Sequence, residues 1–379
     1  MKIEQIHWTN QKELHLTNSS LGSSADLVLI FGERSLIKES ENLKKIRRNY
    51  SNAQLIGCST SGEIFNDHVF DDTITSTAIQ FERTKVQSAF VHLSKDRNCY
   101  AAGKELAKAL KHEGLKHVLV FSVGLDVNGS ELVKGLSEDL SSDVTITGGL
   151  AGDKDRFKET LVISNDQISS DMIAAIGFYG SNIHVGSASL GGWDPFGPER
   201  IVTRAKGNVL YDLDGKSALQ LYKTYLGDHA NELPGSALLF PLSLRTKAMN
   251  EPVVRTILAI DEKEQSMTFA GNIQEGAFAR FMKANFDRLI DGAIGAAENT
   301  FGKNKLEPAL ALLISCVGRK LVLKQRIDEE VEGVRQVFGP KIAITGFYSY
   351  GEISPFSVGT KCTLHNQTMT ITTFSEANG

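Results

Sequence analysis

The chain has 379 residues, enough for two or three domains, and its 41% hydrophobic and 23% charged residues are typical of a globular protein. A net charge of −4 offers no basic surface for nucleic acid or anionic lipid, so neither is expected as a partner. The sequence begins without a hydrophobic leader, and its longest apolar run, residues 309–317, is too short to span a bilayer. Four cysteines without metal-site or disulfide spacing predict reduced thiols and a cytoplasmic location.

An apolar run, a helix and a second apolar run make up a unit that occurs first near the N-terminus. Residues 27–32 form the first run, residues 36–47 have a helical apolar pattern, and residues 55–57 begin a second run that ends in a glycine turn with Gly62 and Glu63. Continuous apolar runs are typical of parallel strands that are covered on both faces. This order therefore predicts a βαβ unit.

The same order of elements returns twice along the chain. Residues 118–124 and 312–318 are the first runs, residues 131–140 and 327–338 the helices, and the second runs end at Gly148 and Gly346. We therefore predict that Gly57, Gly148 and Gly346 occupy equivalent positions near the carboxyl ends of parallel strands.

Alternating stretches between these units, residues 73–81 and 368–374, predict antiparallel extensions of the sheets. The predicted fold class is α/β with mixed sheets, in two similar lobes built from the repeated βαβ unit. The polar, glycine-containing stretch at residues 198–207 places a domain boundary between residues 200 and 201, which gives an N-terminal domain of residues 1–200 and a C-terminal domain of residues 201–379.

Open α/β sheets bind ligands outside the carboxyl ends of their strands, so the glycine turns after the second runs are the predicted rim of a pocket between the lobes. The glycine- and proline-rich residues 191–198, with Trp193, could cover that pocket, and Arg319 could bind a carboxylate or phosphate. The alternative is that these residues make tight turns, core packing and surface ion pairs. The predicted ligand-binding residues are Gly57, Cys58, Ser59, Gly62, Glu63, Gly148, Gly149, Trp193, Cys316, Arg319, Gly346, Phe347, Gly351 and Glu352.

His184 stands out among the nine histidines because of its neighbours. In a strand over residues 183–190, His184 shares a face with Gly186 and Ala188, and such small side chains would leave room for a flat macrocycle beside the imidazole. The alternative is a histidine with an ordinary structural role. His184 is the predicted metal ligand if the chain binds haem.

Several motifs resemble those of the FIST sensory proteins, which carry an N-terminal and a C-terminal FIST domain in tandem. The resemblance covers nearly the whole chain and rests on these segments: residues 57–64 (Gly-Cys-Ser-Thr-Ser-Gly-Glu-Ile), 148–153, 191–197, 206–215, 315–319 (Ser-Cys-Val-Gly-Arg), 346–353 (Gly-Phe-Tyr-Ser-Tyr-Gly-Glu-Ile) and 364–368 (Leu-His-Asn-Gln-Thr). It implies a protein that binds a small ligand in order to sense it, and not an enzyme. Amino acids have been proposed as ligands of the family.

Stand-alone FIST proteins of about this length resemble the bacterial nitric-oxide-sensing haem proteins, which act on a partner histidine kinase. That resemblance implies haem as cofactor, nitric oxide as ligand, a histidine kinase as partner, and a possible homodimer. The predicted axial ligand is His184, with Tyr348, Tyr350 and His365 as further candidates.

Two alternatives remain open. One is a haem-free sensor of an amino acid or similar metabolite, bound by Arg319 and the backbone amides of the glycine turns. The other is an enzyme with Cys58 or Cys316 as nucleophile and Glu63 or Glu352 as base, although no complete set of nucleophile, base and orienting group is recognisable.

Overall fold

The computed structural model describes most of the chain, namely residues 1–9, 13–15 (backbone), 20–39, 41–233, 235–247, 252–301, 307–356 and 360–377. Its architecture consists of three similar α/β units and one antiparallel insert. Short 3₁₀ turns lie at Gly22–Ser24, Gly227–Glu232, Gly235–Leu239 and Lys324–Arg326.

Unit 1 spans residues 2–80. Its elements in chain order are β1 (Lys2–Trp8), β2 (Glu13–His15), β3 (Leu27–Gly32), α1 (Arg34–Lys38), α2 (Glu41–Asn49), β4 (Gln54–Ser59), β5 (Glu63–Phe65), β6 (His68–Phe70) and β7 (Ile74–Gln80). Strands β3 and β4 are parallel, and β7 runs antiparallel beside β3. Every residue of β3 is buried, as expected for a strand covered on both faces.

Unit 2 spans residues 85–179. It contains β8 (Lys85–His92), α3 (Cys99–Ala109), β9 (Leu115–Ser122), α4 (Gly129–Asp139), β10 (Thr145–Leu150), β11 (Val162–Ser164), β12 (Gln167–Ser169) and β13 (Met172–Tyr179). Its parallel pair is β9 and β10, with β13 antiparallel beside β9. The side chains of Asn98 and Asn128 cap α3 and α4 by accepting backbone N–H bonds of the first turn.

Unit 3 begins with β14 (Ile183–Leu190), and the insert then interrupts it. The insert contains β15 (Asp194–Lys206), β16 (Val209–Leu213), β17 (Lys216–Ser217), α5 (Ala218–Leu226), β18 (Leu242–Arg245), β19 (Val253–Arg255), β20 (Ile257–Asp261), β21 (Ser266–Phe269) and β22 (Phe278–Lys283). All of its strand pairs are antiparallel, and its buried side chains form a hydrophobic core of their own.

After the insert, unit 3 resumes with the order of elements of unit 2, except that two α-helices lie between its parallel strands. These are α6 (Phe286–Asn299), β23 (Leu310–Cys316), α7 (Val317–Leu323), α8 (Ile327–Phe338), β24 (Ala343–Ser349), β25 (Gly351–Pro355), β26 (Cys362–His365) and β27 (Met369–Glu376). Strands β23 and β24 are parallel, β27 lies beside β23, and β14 lies beside β27.

A cyclic exchange of hairpins joins the three units. The hairpin β5–β6 of unit 1 pairs with β24 of unit 3, the hairpin β11–β12 of unit 2 pairs with β4 of unit 1, and the hairpin β25–β26 of unit 3 pairs with β10 of unit 2. Each unit thus completes the sheet of its neighbour, and the units form one body rather than independent lobes.

The predicted equivalence of Gly57, Gly148 and Gly346 is confirmed. Each is the fourth residue of the second parallel strand of its unit. A Cβ at these positions would lie 1.7 Å from the carbonyl oxygen of Ile30, 1.8 Å from that of Val120 and 1.9 Å from that of Leu313, all on the neighbouring parallel strand. Glycine is required because the two backbones approach closely at this point in every unit.

The mixed α/β class and the repeated unit are confirmed, and the predicted helix at residues 327–338 coincides with α8. The predicted boundary between residues 200 and 201, however, falls inside strand β15. Pro198 suggested a linker, but it lies at an irregular part of that strand, where pairing with β22 shifts register between Phe196 and Arg200. In the part of the chain that the structure describes, no helix is long and apolar enough to cross a membrane.

Candidate ligand-binding site

A cavity of about 630 Å³ lies where units 2 and 3 meet the insert. Such a volume is within the range of small-molecule sites. Unit 2 contributes residues 124–128, Leu150 and Phe157, unit 3 contributes residues 316–318 and Tyr350, and the insert contributes Asn208, Gly235, Leu238, residues 256–258 and residues 269–271. The cavity therefore draws on both halves of the chain.

The loop at residues 124–128 follows β9 and is called here the first turn of unit 2. The backbone N–H of Gly124 donates to Thr160 Oγ1 over 2.9 Å, and the Asn128 side chain both caps α4 and donates to Asn272 Oδ1 of the insert over 2.7 Å. Asn272 in turn donates to Glu131 Oε1 over 2.8 Å. These bonds hold the loop in place and connect unit 2 to the insert beside the cavity.

The first turn of unit 3 comprises residues 316–318, at the junction of β23 and α7. Cys316 is buried, and burial raises the pKa of its thiol well above the usual range. An ideal Cβ on Gly318 would lie 2.5 Å from both Gln367 Nε2 and Gln367 Oε1, so the Gln367 amide packs directly behind this part of the cavity wall.

Two stacked aromatic rings form another part of the wall. The rings of Tyr350 and Phe157 are 4.7 Å apart and nearly parallel, and the Tyr350 hydroxyl donates to the carbonyl oxygen of Lys154 over 3.1 Å. Together with Leu125, Leu150 and Ile257, they make the lining largely apolar. Such a surface suits the apolar body of a ligand and leaves orientation to a few polar groups.

Residues 58–63, 149–153 and 347–352 include the last residues of the second parallel strands and the turns that follow, and are called here the second turns. The predicted rim of the site lay there, and of these segments Leu150 and Tyr350 line the cavity. The other residues of each second turn lead towards an exchanged hairpin and are buried at the junctions between units. The predicted ligand-binding residues that do not line the cavity are Gly57, Cys58, Ser59, Gly62, Glu63, Gly148, Gly149, Trp193, Arg319, Gly346, Phe347, Gly351 and Glu352, whereas Cys316 does line it.

Close packing explains why these residues face no open space. Phe347 stacks on Phe31 at 4.7 Å, and Ser59 donates to the carbonyl oxygen of Gly152 over 2.9 Å. An ideal Cβ on Gly62 would lie 2.3 Å from Lys320 Nζ, which itself donates to the carbonyl oxygen of Ser61. Cys58 is fully buried, and burial raises the pKa of its thiol well above the usual range.

Glu63 and Glu352 are equivalent acids in units 1 and 3, and both are buried. Glu63 accepts hydrogen bonds from the hydroxyls of Thr60 and Thr73, and Glu352 accepts them from Ser349 Oγ over 2.6 Å and Thr368 Oγ1 over 2.9 Å. Burial raises the pKa of Glu63 to about 7 and that of Glu352 to about 8. Each acid thus connects a second turn to the residue that precedes the antiparallel strand beside the first parallel strand, which is β7 in unit 1 and β27 in unit 3.

Arg319 and Trp193 have structural roles, which corrects their predicted contact with a ligand. Arg319 is fully buried, and its guanidinium donates to Glu330 Oε2 over 2.6 Å and 3.1 Å and to the carbonyl oxygens of Leu289 and Gly191. Trp193 is buried, and its Nε1 donates to the carbonyl oxygen of Gln367 over 2.7 Å. From Asp194 onwards, the expected covering loop is strand β15.

The residues predicted to bind haem iron do not fit a single haem site. His184 is half-buried on β14, and the space beside Gly186 is filled because a Cβ there would lie 2.2 Å from the carbonyl oxygen of Thr300. Tyr348 is buried and donates to Glu330 Oε1 over 2.6 Å, and the Nε2 of buried His365 bonds the carbonyl oxygen of Ser354 over 2.9 Å.

Of these four candidates, Tyr350 lines the cavity, and among the described lining residues there is no histidine. Burial raises the pKa of the Tyr350 phenol, which opposes the phenolate form that binds iron.

Apart from Cys316, the residues of the first turns were missed, although the sequence carried a signal for them. Residues 122–124 (Ser-Val-Gly) and 316–318 (Cys-Val-Gly) occupy the same place in their units, at the end of the first parallel strand. The contribution of the insert had no such signal, because it comes from several short strands distant in sequence. Thr256 and Gln367 were also missed, and their buried polar side-chain atoms have no hydrogen-bond partner in the described structure.

Three interlocked α/β units with a ligand-sized cavity beside an insert define a binding protein for small molecules. Residues 26–216 match the FIST N domain and residues 218–355 match the FIST C domain. The chain belongs to the FIST family, whose domains are small-ligand-binding sensor domains. The sequence-based recognition of this family is thereby confirmed.

Two further proteins show similarity to the chain. An uncharacterized protein of Methanocaldococcus jannaschii is 23% identical over 361 residues, which cover 83% of this chain and 68% of that protein. A crystal structure of chorismatase aligns over 99% of this chain and 98% of its own with a TM-score of 0.33 and 7% identity.

Proposed function

We propose that this protein is a haem-free sensor that binds a small organic metabolite in the cavity between units 2 and 3 and the insert. The cavity itself carries the proposal, since it combines an apolar lining with first turns held by fixed hydrogen bonds. It also adjoins three structural elements, so a ligand that contacts all of them would favour one arrangement of the insert against the body.

The output of such a sensor would be a change in the surface shared by the insert and the units. Asn272 connects Asn128 and Glu131 of unit 2 to the insert, and these bonds lie beside the cavity. A ligand that shifts the first turn of unit 2 would therefore act on this connection directly. The histidine kinase implied by the family resemblance is the partner that we propose to read this change.

The test places a large side chain in the cavity and compares ligand binding by this variant with that of a matched control variant. Val127 and Val86 are both partly buried and pack against the same hydrophobic core, but Val127 lines the cavity and Val86 lies on β8. Wild-type protein, Val127→Trp and Val86→Trp are each mixed with the low-molecular-mass fraction of a bacterial extract and separated by gel filtration. Compounds released on denaturation are then identified by mass spectrometry.

We expect the wild type and Val86→Trp to retain the same compound and Val127→Trp to lose it. Retention of that compound by Val127→Trp, or no retained compound in any sample, would contradict the proposal. Circular dichroism of each variant shows that the comparison is made between folded proteins.

A further inference from the structure

Arg255, at the end of β19, is a buried cation without an ion-pair partner among the residues that the structure describes. Its side chain is almost fully buried, and among the described residues no carboxylate lies within ion-pair distance. Its Nη1 donates to the carbonyl oxygens of Leu364 over 2.9 Å and Val254 over 3.3 Å, while its buried Nε has no partner. Arg319, which is also buried, is by contrast paired with Glu330 over 2.6 Å.

An unpaired buried charge is costly, because the charge loses its hydration and has no counter-ion whose attraction would offset that loss. Burial lowers the pKa of Arg255 to about 10, which leaves the guanidinium charged at neutral pH. The neighbouring His365 cannot supply a counter-charge, because an imidazole is either neutral or cationic, and burial, which lowers its pKa to about 4, keeps it neutral. A ligand that carries a negative charge would supply what the protein lacks here.

The position of Arg255 connects it to the cavity. Its chain neighbour Thr256 lines the cavity, and Thr256 Oγ1 is buried without a hydrogen-bond partner. Gly271 also lines the cavity, and an ideal Cβ on Gly271 would lie 2.8 Å from Arg255 Nε and 3.1 Å from Arg255 Cζ. Arg255 is not itself a lining residue, so its guanidinium lies directly behind Gly271, while the Thr256 hydroxyl belongs to the lining. At this end of an otherwise largely apolar cavity, both groups have donors that are not used.

We propose that Arg255 and Thr256 bind the carboxylate of an organic acid whose apolar body fills the rest of the cavity. The planar guanidinium is suited to a carboxylate, and it has Nε–H and Nη2–H left for this contact because Nη1 makes the backbone bonds. The stacked rings of Phe157 and Tyr350 favour a flat or aromatic body. This inference rests on the proposed function, since it assigns a ligand class to the same cavity.

The probes are 3-phenylpropionate and its neutral isostere 3-phenylpropanamide, with binding measured by isothermal titration calorimetry. We expect wild-type protein to bind the acid at least about tenfold more tightly than the amide, which corresponds to about 1.4 kcal/mol. Arg255→Met should remove this preference. The control is Arg245→Met on the adjacent strand β18, where the arginine is exposed and paired with Glu199, and it should keep the preference.

Gly271→Ala is a second variant that keeps the charge. The new methyl group would displace the guanidinium from its position, and Gly271 has no positive φ that would strain an alanine. We expect the preference for the acid to fall several-fold without loss of folding. This variant keeps the test decisive if Arg255→Met does not fold.

The outcomes separate this inference from the proposed function. Equal binding of acid and amide by wild type, with both lost in Val127→Trp, would overturn the carboxylate site and leave the cavity as the binding site. A preference that survives Arg255→Met or Gly271→Ala would also overturn it. Binding of neither probe by wild type would overturn the ligand class, whereas the proposed function is then judged by the compound retained from the extract.

Discussion

The first and second turns of units 2 and 3 are built from similar residues but lie in different surroundings. Both contain glycine at or near the end of a parallel strand, yet the first turns border the cavity, whereas the second turns contribute Leu150 and Tyr350 to it and are otherwise packed between units. Gly318 faces the flexible amide of Gln367, whereas Gly346 faces the backbone of Leu313. Glycine therefore marks a place where another part of the chain approaches closely. Whether a ligand can bind there depends on which group lies opposite the glycine.

The largest effect that we expect is on the free energy of unfolding, and two glycine-to-alanine substitutions test the contrast between Gly318 and Gly346. Gly346→Ala places a methyl group 1.9 Å from the carbonyl oxygen of Leu313, where the parallel strands cannot separate, and should cost about 3 kcal/mol or more. Gly318→Ala meets a side-chain amide that can move and adds helix propensity in α7, so its cost should be about 1 kcal/mol or less. Urea unfolding measures both, and similar losses would refute the distinction.

A medium effect concerns the buried acid of the second turn in unit 3. The pKa of Glu352 is raised to about 8 in the folded protein from a usual value of 4.5, so the folded state retains a proton that the unfolded state loses between these values. Its stabilising contribution is complete below pH 4.5 and is lost as the pH rises towards 8. The free energy of unfolding should fall by up to about 1.4 kcal/mol per pH unit in this window.

The control for this prediction is Glu352→Gln, in which the side chain cannot ionise. The free energy of unfolding of this variant, measured by urea unfolding at several pH values between 5 and 8, should have a shallower slope than that of the wild type. Glu63, whose pKa is raised to about 7, contributes to the slope that remains. Identical slopes in both proteins would show that Glu352 is ionised throughout the range.

The smallest expected effect is that of removing His184. Because the space beside His184 is occupied and no described lining residue of the cavity is a histidine, haem added to the wild type should give no protein-bound Soret band, and His184→Ala should give the same spectrum. Tyr350→Phe tests the one candidate ligand that lines the cavity. A Soret band in the wild type that shifts with nitric oxide and is lost in either variant would restore the haem-based sensor and displace our proposal.

The sequence by itself determined the repeated unit, the parallel strands and the family. These features depend on local signals: buried strands are continuously apolar, amphipathic helices have a 3.6-residue period, and Gly57, Gly148 and Gly346 return at equivalent positions. The motif around Cys316 also pointed to a strand end that lines the cavity. Short-range patterns carry this information because each of them is fixed by the conformation of a few consecutive residues.

Tertiary structure decided which of the repeated turns could face a ligand. The exchange of hairpins buries the second turns except where Leu150 and Tyr350 reach the cavity, and the insert closes over the first turns. Both arrangements depend on strand pairs far apart in sequence, such as β10 with β25. The partners of Arg319 and Arg255 could not be predicted either, because sequence patterns do not indicate which residues meet in the folded chain. Arg319 meets Glu330 inside unit 3, while Arg255 meets backbone carbonyls beside the cavity, and the charge balance of a buried site is set by such long-range neighbours.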